Sequence, residues 1–180
     1  MHELAKLADL IRSKNAIESQ ISALIGRPAL LGHAGEYIAA HLFGIVLEES
    51  ASHRGSDGSF ADGPLAGRSV NIKWYSRQSG VLDITPESLP DYYLVLAGPP
   101  SAALSSRGMT LPWAIESVFL FDALALVEML SARGVKIGIA TSVTKTAWEQ
   151  AQIFPAQHNT ALILSDLQRE LLGLFSLDGG

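Results

Sequence analysis

The sequence contains no cysteine among its 180 residues. This absence excludes a disulfide framework and a thiolate zinc site. Nothing in the composition points to an oxidising compartment, so a cytoplasmic location is predicted.

Long apolar runs are also missing. No stretch approaches the roughly 20 apolar residues of a membrane span. The N-terminal segment MHELAKLADLIRSKN carries acidic residues among its apolar ones, unlike the basic start and unbroken apolar run of a signal peptide. We therefore expect a soluble protein that is neither exported nor membrane-spanning, with no membrane partner.

Several common motifs of chemistry are absent. The chain has no GxxxxGK[ST], GxGxxG or GxSxG, so ATP-driven chemistry, dinucleotide binding and serine hydrolysis lack their usual signals. His33 and His41 are eight positions apart rather than four, and HExxH does not occur. A histidine-based zinc site is therefore not predicted.

An excess of basic residues is lacking as well. The formal net charge is −5, which counts against general binding to nucleic acid, because phosphate binding relies on concentrated Lys and Arg. The charge is uneven: residues 1–80 hold eight basic and eight acidic residues, whereas residues 81–180 hold five and ten. A local basic groove in the first half therefore remains open.

The composition that is present fits one compact domain. Hydrophobic residues make up 48% of the chain and charged residues 17%, which favours a globule over disorder. The length suits a single core, and no interdomain linker or internal repeat is visible. We predict one domain spanning residues 1–180.

Helical and extended patterns alternate along the chain. Apolar spacing and capping signals predict helices over about 3–25, 33–43, 123–132, 145–153 and 165–175, and a short helix that starts at Thr85. Apolar runs predict strands over about 45–47, 57–61, 68–76, 92–98, 114–121 and 135–141. Strands interleaved with helices predict an α/β fold, a sheet flanked by helices.

One strand combines a core face with a polar face. In RSVNIKWYS the period of two separates an apolar set, Val70, Ile72 and Trp74, from a polar set, Asn71, Lys73 and Tyr75. The glycine-rich turn DGPLAG predicts a hairpin that brings Asp57 beside Asn71 and Lys73. A carboxylate and a cation are thus expected to converge.

A second carboxylate lies on the predicted helix before this hairpin. At helical spacing the neighbours of Glu36 are small or apolar residues, such as Ala39 and Ala40, rather than a charged face. A carboxylate in such surroundings needs a partner.

The ordered set of a glutamate helix, an aspartate strand and a lysine strand resembles the PD-(D/E)xK nuclease superfamily. The matching residues are Glu36, Asp57, Asn71 and Lys73, within the local wording GEYIAAHLFG, RGSDGSF and VNIKWYS of residues 34–76. The resemblance implies a restriction-endonuclease-like core with a central mixed β-sheet. It also implies phosphodiester hydrolysis that depends on Mg²⁺ or Mn²⁺.

Within this resemblance each residue acquires a role. Asp57 is the principal metal ligand, Glu36 adds charge directly or through water, and the backbone carbonyl of Ile72 completes the coordination. Lys73 orients the attacking water or stabilises developing negative charge. These oxygen donors suit a hard divalent cation.

Asn71 departs from the family pattern, which has Asp or Glu there. An amide oxygen can ligate a metal but contributes no negative charge. Two outcomes stay open: a slow or specialised nuclease, or a module of the same fold that has lost catalysis and binds DNA or a protein partner. Homodimerisation is an expectation by analogy with the family.

Four further residues are candidates for contact with nucleic acid, namely Arg54, Arg68, Tyr75 and Arg77. The arginines flank the predicted site, and an aromatic ring can stack on a base. Ordinary solubilising charge explains the arginines equally well, and most strand aromatics belong to the core.

Each main site residue also has a simpler explanation. Lys73 fits an exposed lysine on a half-buried strand, Asp57 fits a Ser-Asp-Gly turn, and Glu36 fits a carboxylate near a helix N-terminus. A third class, an α/β protein without nuclease ancestry, would gain if these residues were far apart. DNA hydrolysis is the leading prediction.

Overall fold

The computed structural model of the protein describes residues 2–49, 55–100 and 111–178. The α-helices in this part of the chain are α1 (His2–Ile25), α2 (Leu31–Phe43), α3 (Ala123–Ala132), α4 (Lys145–Ala151) and α5 (Asp166–Gly173). The strands are β1 (Ile45–Leu47), β2 (Gly58–Phe60), β3 (Ser69–Tyr75), β4 (Val81–Leu82), β5 (Tyr92–Ala97), β6 (Ser117–Asp122), β7 (Thr141–Ser142) and β8 (Gln152–Phe154).

A central six-stranded sheet organises the fold, in the order β1-β2-β3-β5-β6-β8. The pair β3 and β5 is parallel, whereas the other neighbours in this sheet are antiparallel. The predicted α/β class with a central mixed sheet is confirmed. β4 and β7 form a separate antiparallel pair.

Helices cover both faces of the sheet because both faces are apolar. The first core cluster joins α2 and α5 to β3 through buried residues that include Ile38, Trp74 and Leu172. The second core cluster joins α3 and α4 to β5 and β6 through residues that include Leu126 and Trp148. Burial of these side chains is the main stabilising term of the fold.

The contact between α2 and β3 is unusually close. Gly35 is buried, and a Cβ added to it would lie 3.1 Å from the Cβ of Trp74. A glycine therefore lets the helix backbone approach the strand at this position. The neighbouring Glu36 is thereby placed near β3.

Helix ends follow their predicted capping signals. The Asp122 side chain accepts a hydrogen bond from the Ala125 N–H, and Ser165 forms a capping box with Gln168. Gly44 ends α2 in the left-handed conformation, with φ of 61°. These ends confirm the predicted starts of α3 and α5.

Two predicted elements are wrong. The segment that begins at Thr85 forms a turn closed by a 3.1 Å bond from the Ser88 N–H to the Thr85 carbonyl, and no helix follows. In the predicted strand VKIGIAT, Thr141 alone belongs to a strand. The Asp83 carboxylate accepts the N–H of Ala140 at 2.7 Å, and this tertiary contact replaces ladder bonds over that loop.

Two other boundaries differ from prediction. β6 begins at Ser117 rather than 114, because the Ile115 N–H donates to the carbonyl of Phe175 instead of a neighbouring strand. α4 ends at Ala151, and the next residues form β8. Burial of Ile153 beside β6 decides this change from helix to strand.

Most of helix α1 stands apart from the core, although Ile25 at its C-terminal end packs against the first core cluster. It has 24 residues, and none of its described side chains is buried. Of the helices in the described ranges, none combines the length and apolar character that a membrane crossing requires.

Candidate functional site

Asp57 is held at the point where β1, β2 and β3 meet. Its N–H donates to the Val70 carbonyl at 2.9 Å, and its carbonyl accepts the Glu48 N–H at 3.0 Å. The hairpin between β2 and β3 is confirmed by the register of Gly58 with Val70. Backbone bonds on both sides therefore fix the position of this aspartate.

The Asp57 carboxylate faces the exposed edge of β3. Its Oδ2 accepts the N–H of Ile72 at 2.6 Å. Within a strand, the N–H and C=O of one residue point to the same side. The Ile72 carbonyl therefore lies on the same edge of β3 as the Ile72 N–H. A carboxylate has about four acceptor sites, so Asp57 retains capacity for a cation.

Four groups act on the ionisation of Asp57. Burial raises its pKa above 3.8 and Glu36 raises it further, whereas the Ile72 N–H, Lys73 and Arg27 lower it, and the net shift is upward. Geometry places two of these residues together, because Glu36 and Asp57 line one cleft. Lys73 follows Ile72, whose N–H donates to the Asp57 carboxylate. The alternative of an α/β protein without nuclease ancestry stays open.

Glu36 projects from the first turns of α2 toward the same place. It forms an ion pair with Arg27, and its side chain is 20% exposed. Both residues line an open cleft of about 510 Å³, together with Leu47, Glu48, Glu49, Ser56 and Asp57. The cleft thus joins the two predicted metal-ligating carboxylates.

Lys73 lies on β3, in register with Val95 of β5, and its side chain is half-buried. It is outside the set of described residues that line the cleft. Its ammonium nevertheless acts electrostatically on Asp57, on the side of β3 that alternation assigns to Asn71. The Lys73 side chain and the Glu36 carboxylate therefore approach Asp57 from different directions.

Asn71 is buried, with 9% of its surface exposed. Its Oδ1 atom has no hydrogen-bond partner in the described part of the chain. A buried polar atom without a partner costs about 1–3 kcal/mol, so its presence calls for a ligand or bound water. The amide oxygen of Asn71 is of the kind that ligates a hard cation.

The oxygen atoms near Asp57 are of the kind that a hard divalent cation binds. Within the described residues, no three histidine or acidic side chains cluster closely enough to hold a metal by themselves. The cleft contributes the carboxylates of Glu36, Glu48, Glu49 and Asp57. The Ile72 carbonyl and the Asn71 amide, both on β3, are the other predicted donors.

The candidate residues for nucleic-acid contact are dispersed. Arg68 forms an ion pair with Asp91 at 3.0 Å and lies 5.8 Å from the centre of the Tyr92 ring. Arg77 is half-buried beyond the end of β3, and Arg54 lies outside the described residues. The role of these arginines in binding DNA stays a prediction.

Tyr75 is built into the second core cluster. Its hydroxyl donates to Asp83 at 3.2 Å and accepts the Asp83 N–H at 3.0 Å. Burial is the main reason that its pKa is raised. Its half-buried ring packs against that cluster, which reduces the surface left for stacking on a base.

Sequence reasoning missed five residues that line the cleft, namely Arg27, Leu47, Glu48, Glu49 and Ser56. Arg27 sits between Gly26 and Pro28, a segment interpreted as a helix stop, although its ion pair with Glu36 spans two helices. Ser56 donates to the Gly58 carbonyl at 3.0 Å beside Asp57. The signal in the sequence that could have identified Arg27 was a basic residue in the short link between two predicted helices.

Comparison with known proteins assigns no family. Neither the models of known protein families nor the curated protein sequences compared with this chain match it.

Proposed function

We propose that this chain is a metal-dependent phosphodiester hydrolase that acts on DNA, built on a restriction-endonuclease-like core. The observation that carries the proposal is that Glu36 of α2 and Asp57, just before β2, line one cleft. Lys73 follows Ile72, the β3 residue whose N–H donates to Asp57, and both Glu36 and Lys73 act on the ionisation of Asp57. Perturbed ionisable groups beside a cleft are typical of catalytic sites.

The chain order of the elements supports the same proposal. Helix α2 carries Glu36, Asp57 precedes β2, and β3 carries Lys73 and pairs with parallel β5. This is the order of glutamate helix, aspartate strand and lysine strand that the resemblance implies.

The acidic residues of the cleft would hold the metal. When held there, Mg²⁺ or Mn²⁺ would supply Lewis-acid chemistry, namely activation of a water and neutralisation of charge on the scissile phosphate. Asp57 keeps one orientation because Ile72 donates to its Oδ2. Burial of Asp57 beside Glu36 disfavours the state in which both carboxylates are ionised with no cation between them. A bound cation would relieve the repulsion between the two charges.

Two basic residues would act on the substrate. The Lys73 ammonium orients the attacking water and stabilises negative charge that develops on the phosphate. Arg27 lines the cleft, and its planar guanidinium can bind a phosphate oxygen while it remains near Glu36. Arg27 is nevertheless the only basic residue among the described residues that line the cleft, beside the acidic Glu36, Glu48, Glu49 and Asp57. A bound cation would therefore have to offset this negative charge before a phosphate could enter.

A second candidate function rests on Asn71. It is neutral where the family has an acid, and no group of three or more histidine or acidic side chains that could hold a metal ion occurs among the described residues. A module with the same fold that binds DNA or a protein partner without cleaving DNA is the alternative.

Cleavage assays test the proposal. We would incubate the protein with linear, supercoiled and single-stranded DNA in Mg²⁺ or Mn²⁺, beside Lys73→Ala and the matched control Lys136→Ala, which alters an exposed loop lysine. We expect metal-dependent cleavage by wild type and the control, and a loss of about 100-fold or more in Lys73→Ala.

Two results would oppose hydrolysis. Cleavage that survives in Lys73→Ala would indicate a contaminating nuclease. An absence of cleavage by wild type in both metals, with DNA binding retained in a gel-shift assay, would favour the non-catalytic module.

A further inference from the structure

Along its outer part, helix α1 presents an apolar stripe with no cover in the described structure, whereas Ile25 at its C-terminal end packs against the first core cluster. Its apolar side chains are largely exposed, for example 71% for Leu4, 52% for Leu7 and 48% for Ile11. Exposed apolar stripes of this length mark association surfaces in proteins. A helix gains most of its stability from packing such a face.

The stripe follows a heptad repeat. Positions spaced alternately by three and four are Leu4, Leu7, Ile11, Lys14, Glu18, Ile21 and Ile25. This is the a/d pattern of a two-stranded coiled coil, with charged residues in its two central layers. Pairing with another helix of the same repeat is the arrangement that such a pattern specifies.

The charged layers select the orientation of the pair. Lys14 and Glu18 form an ion pair within α1. In a parallel pair, each would face its own copy, and like charges would meet. In an antiparallel pair centred on residue 16, Lys14 faces Glu18 of the second copy, and Glu18 faces Lys14 of the second copy.

The same register aligns the apolar layers. Ile11 faces Ile21 of the second copy, and Leu7 faces Ile25 of the second copy. Each apolar layer then joins an a to a d position, as antiparallel pairing of one heptad repeat requires. A single choice of centre thus satisfies both the charged and the apolar layers.

An apolar groove continues the stripe at the foot of α1. It has a volume of about 270 Å³ and is lined by Ile21, Leu24, Ile25, Ala34, Tyr37, Ile38, Trp74, Trp113 and Phe175. In the antiparallel register, Leu4 of the second copy reaches the level of residue 28, beside this groove. A cavity of about 150 Å³ holds a benzene molecule, so the groove has room for a leucine side chain.

We propose that α1 pairs with α1 of a second copy of this chain as an antiparallel coiled coil, with the N-terminal end of each helix in the apolar groove of the other copy. The charge complementarity of Lys14 and Glu18 and the continuity of stripe and groove identify a second copy as the occupant. Through α2, this interface lies next to the cleft that contains Glu36.

Engineered cysteines test the orientation directly, because the chain contains none of its own. Under mild oxidation, an equimolar mixture of Ile11→Cys and Ile21→Cys chains is expected to form a covalent dimer. Each variant alone should remain largely uncrosslinked. A dimer from Ile11→Cys alone would indicate parallel pairing and overturn the proposal.

Sedimentation of the full chain tests the association itself. Wild type is expected to sediment as a dimer, as is Ala16→Asp, which alters the opposite face of α1. Ile11→Asp should sediment as a monomer, because it places a carboxylate in an apolar layer. Unchanged circular dichroism of Ile11→Asp would show that it is folded. A monomeric wild type at micromolar concentration would overturn the proposal and assign the stripe to a different partner.

Discussion

At the scale of single residues, Asp57 combines two opposed requirements. Its backbone is fixed by β1 and β3, whereas its carboxylate is buried next to Glu36 and has a raised pKa. A carboxylate that is harder to ionise in the folded state reduces stability wherever it is ionised. This is the arrangement expected of a site that trades stability for cation binding.

The substitution Asp57→Asn should separate stability from activity. The unfolding free energy of wild type falls as pH rises from 3.8 through the raised pKa of Asp57, and it stays reduced at neutral pH. Asparagine still accepts the Ile72 N–H without the charge. We expect a higher unfolding temperature than wild type at pH 7 without metal, no difference below about pH 3.8, and loss of cleavage by about 100-fold or more.

Thermal unfolding across pH, together with the cleavage assay, checks this expectation. Asp62→Asn, at an exposed turn, is the matched control and should behave like wild type in both assays. A lower unfolding temperature for Asp57→Asn at pH 7 would contradict the argument.

The substitution Asn71→Asp should restore a third carboxylate. Without metal, a buried charge should lower the unfolding free energy by about 1–3 kcal/mol. With Mg²⁺, the added charge should strengthen binding by about tenfold, since ligand charge tunes affinity for hard cations. Calorimetric titration with Mg²⁺ measures the change, with the exposed Asn15→Asp as control. Equal Mg²⁺ affinity in wild type and Asn71→Asp would show that Asn71 lies outside the metal site.

At the scale of elements, β3 links the candidate site to both core clusters. Its alternation was predictable, because Val70, Ile72 and Trp74 enter the first core cluster as expected. The polar face is less uniform than the period suggests: Asn71 is buried, and Tyr75 packs against the second core cluster. The second core cluster, which includes residues of α3 and α4, covers part of the face that a period of two would leave to solvent.

The bond between Tyr75 and Asp83 should be structural. Tyr75→Phe removes a hydroxyl that both donates and accepts, so we expect a loss of about 1–3 kcal/mol in unfolding free energy. Chemical denaturation of Tyr75→Phe, Asp83→Ala and the double variant measures the coupling. If the loss of unfolding free energy in the double variant equals the sum of the losses in the two single variants, a direct interaction is contradicted.

At the scale of the whole molecule, stability resides in the sheet and its covering helices. No described side chain of α1 is buried, so its outer part should contribute little to the fold of one copy. Deleting residues 2–16 is expected to change the unfolding temperature by less than about 2 °C in dilute solution. Differential scanning calorimetry checks this, and a loss of secondary structure beyond the deleted turns would contradict it.

The sequence by itself determined the α/β class, the hairpin, the starts of α3 and α5, and two carboxylates that line one cleft. These features depend on local capping, alternation and turn chemistry, which neighbouring residues express directly. Glu36 and Asp57 were identifiable because one helix and the hairpin that follows it bring them together within a short stretch of chain.

Only the tertiary structure decided the rest. The segment after Thr85, the loop ending at Ala140 and the strand at Ile153 depend on contacts with residues distant in sequence, which override local propensity. Arg27 joins the site because α1 and α2 meet there, and the exposure of α1 is visible only once the core has formed without it. Long-range packing, rather than any local pattern, determines which polar and apolar groups are left for a ligand or a partner.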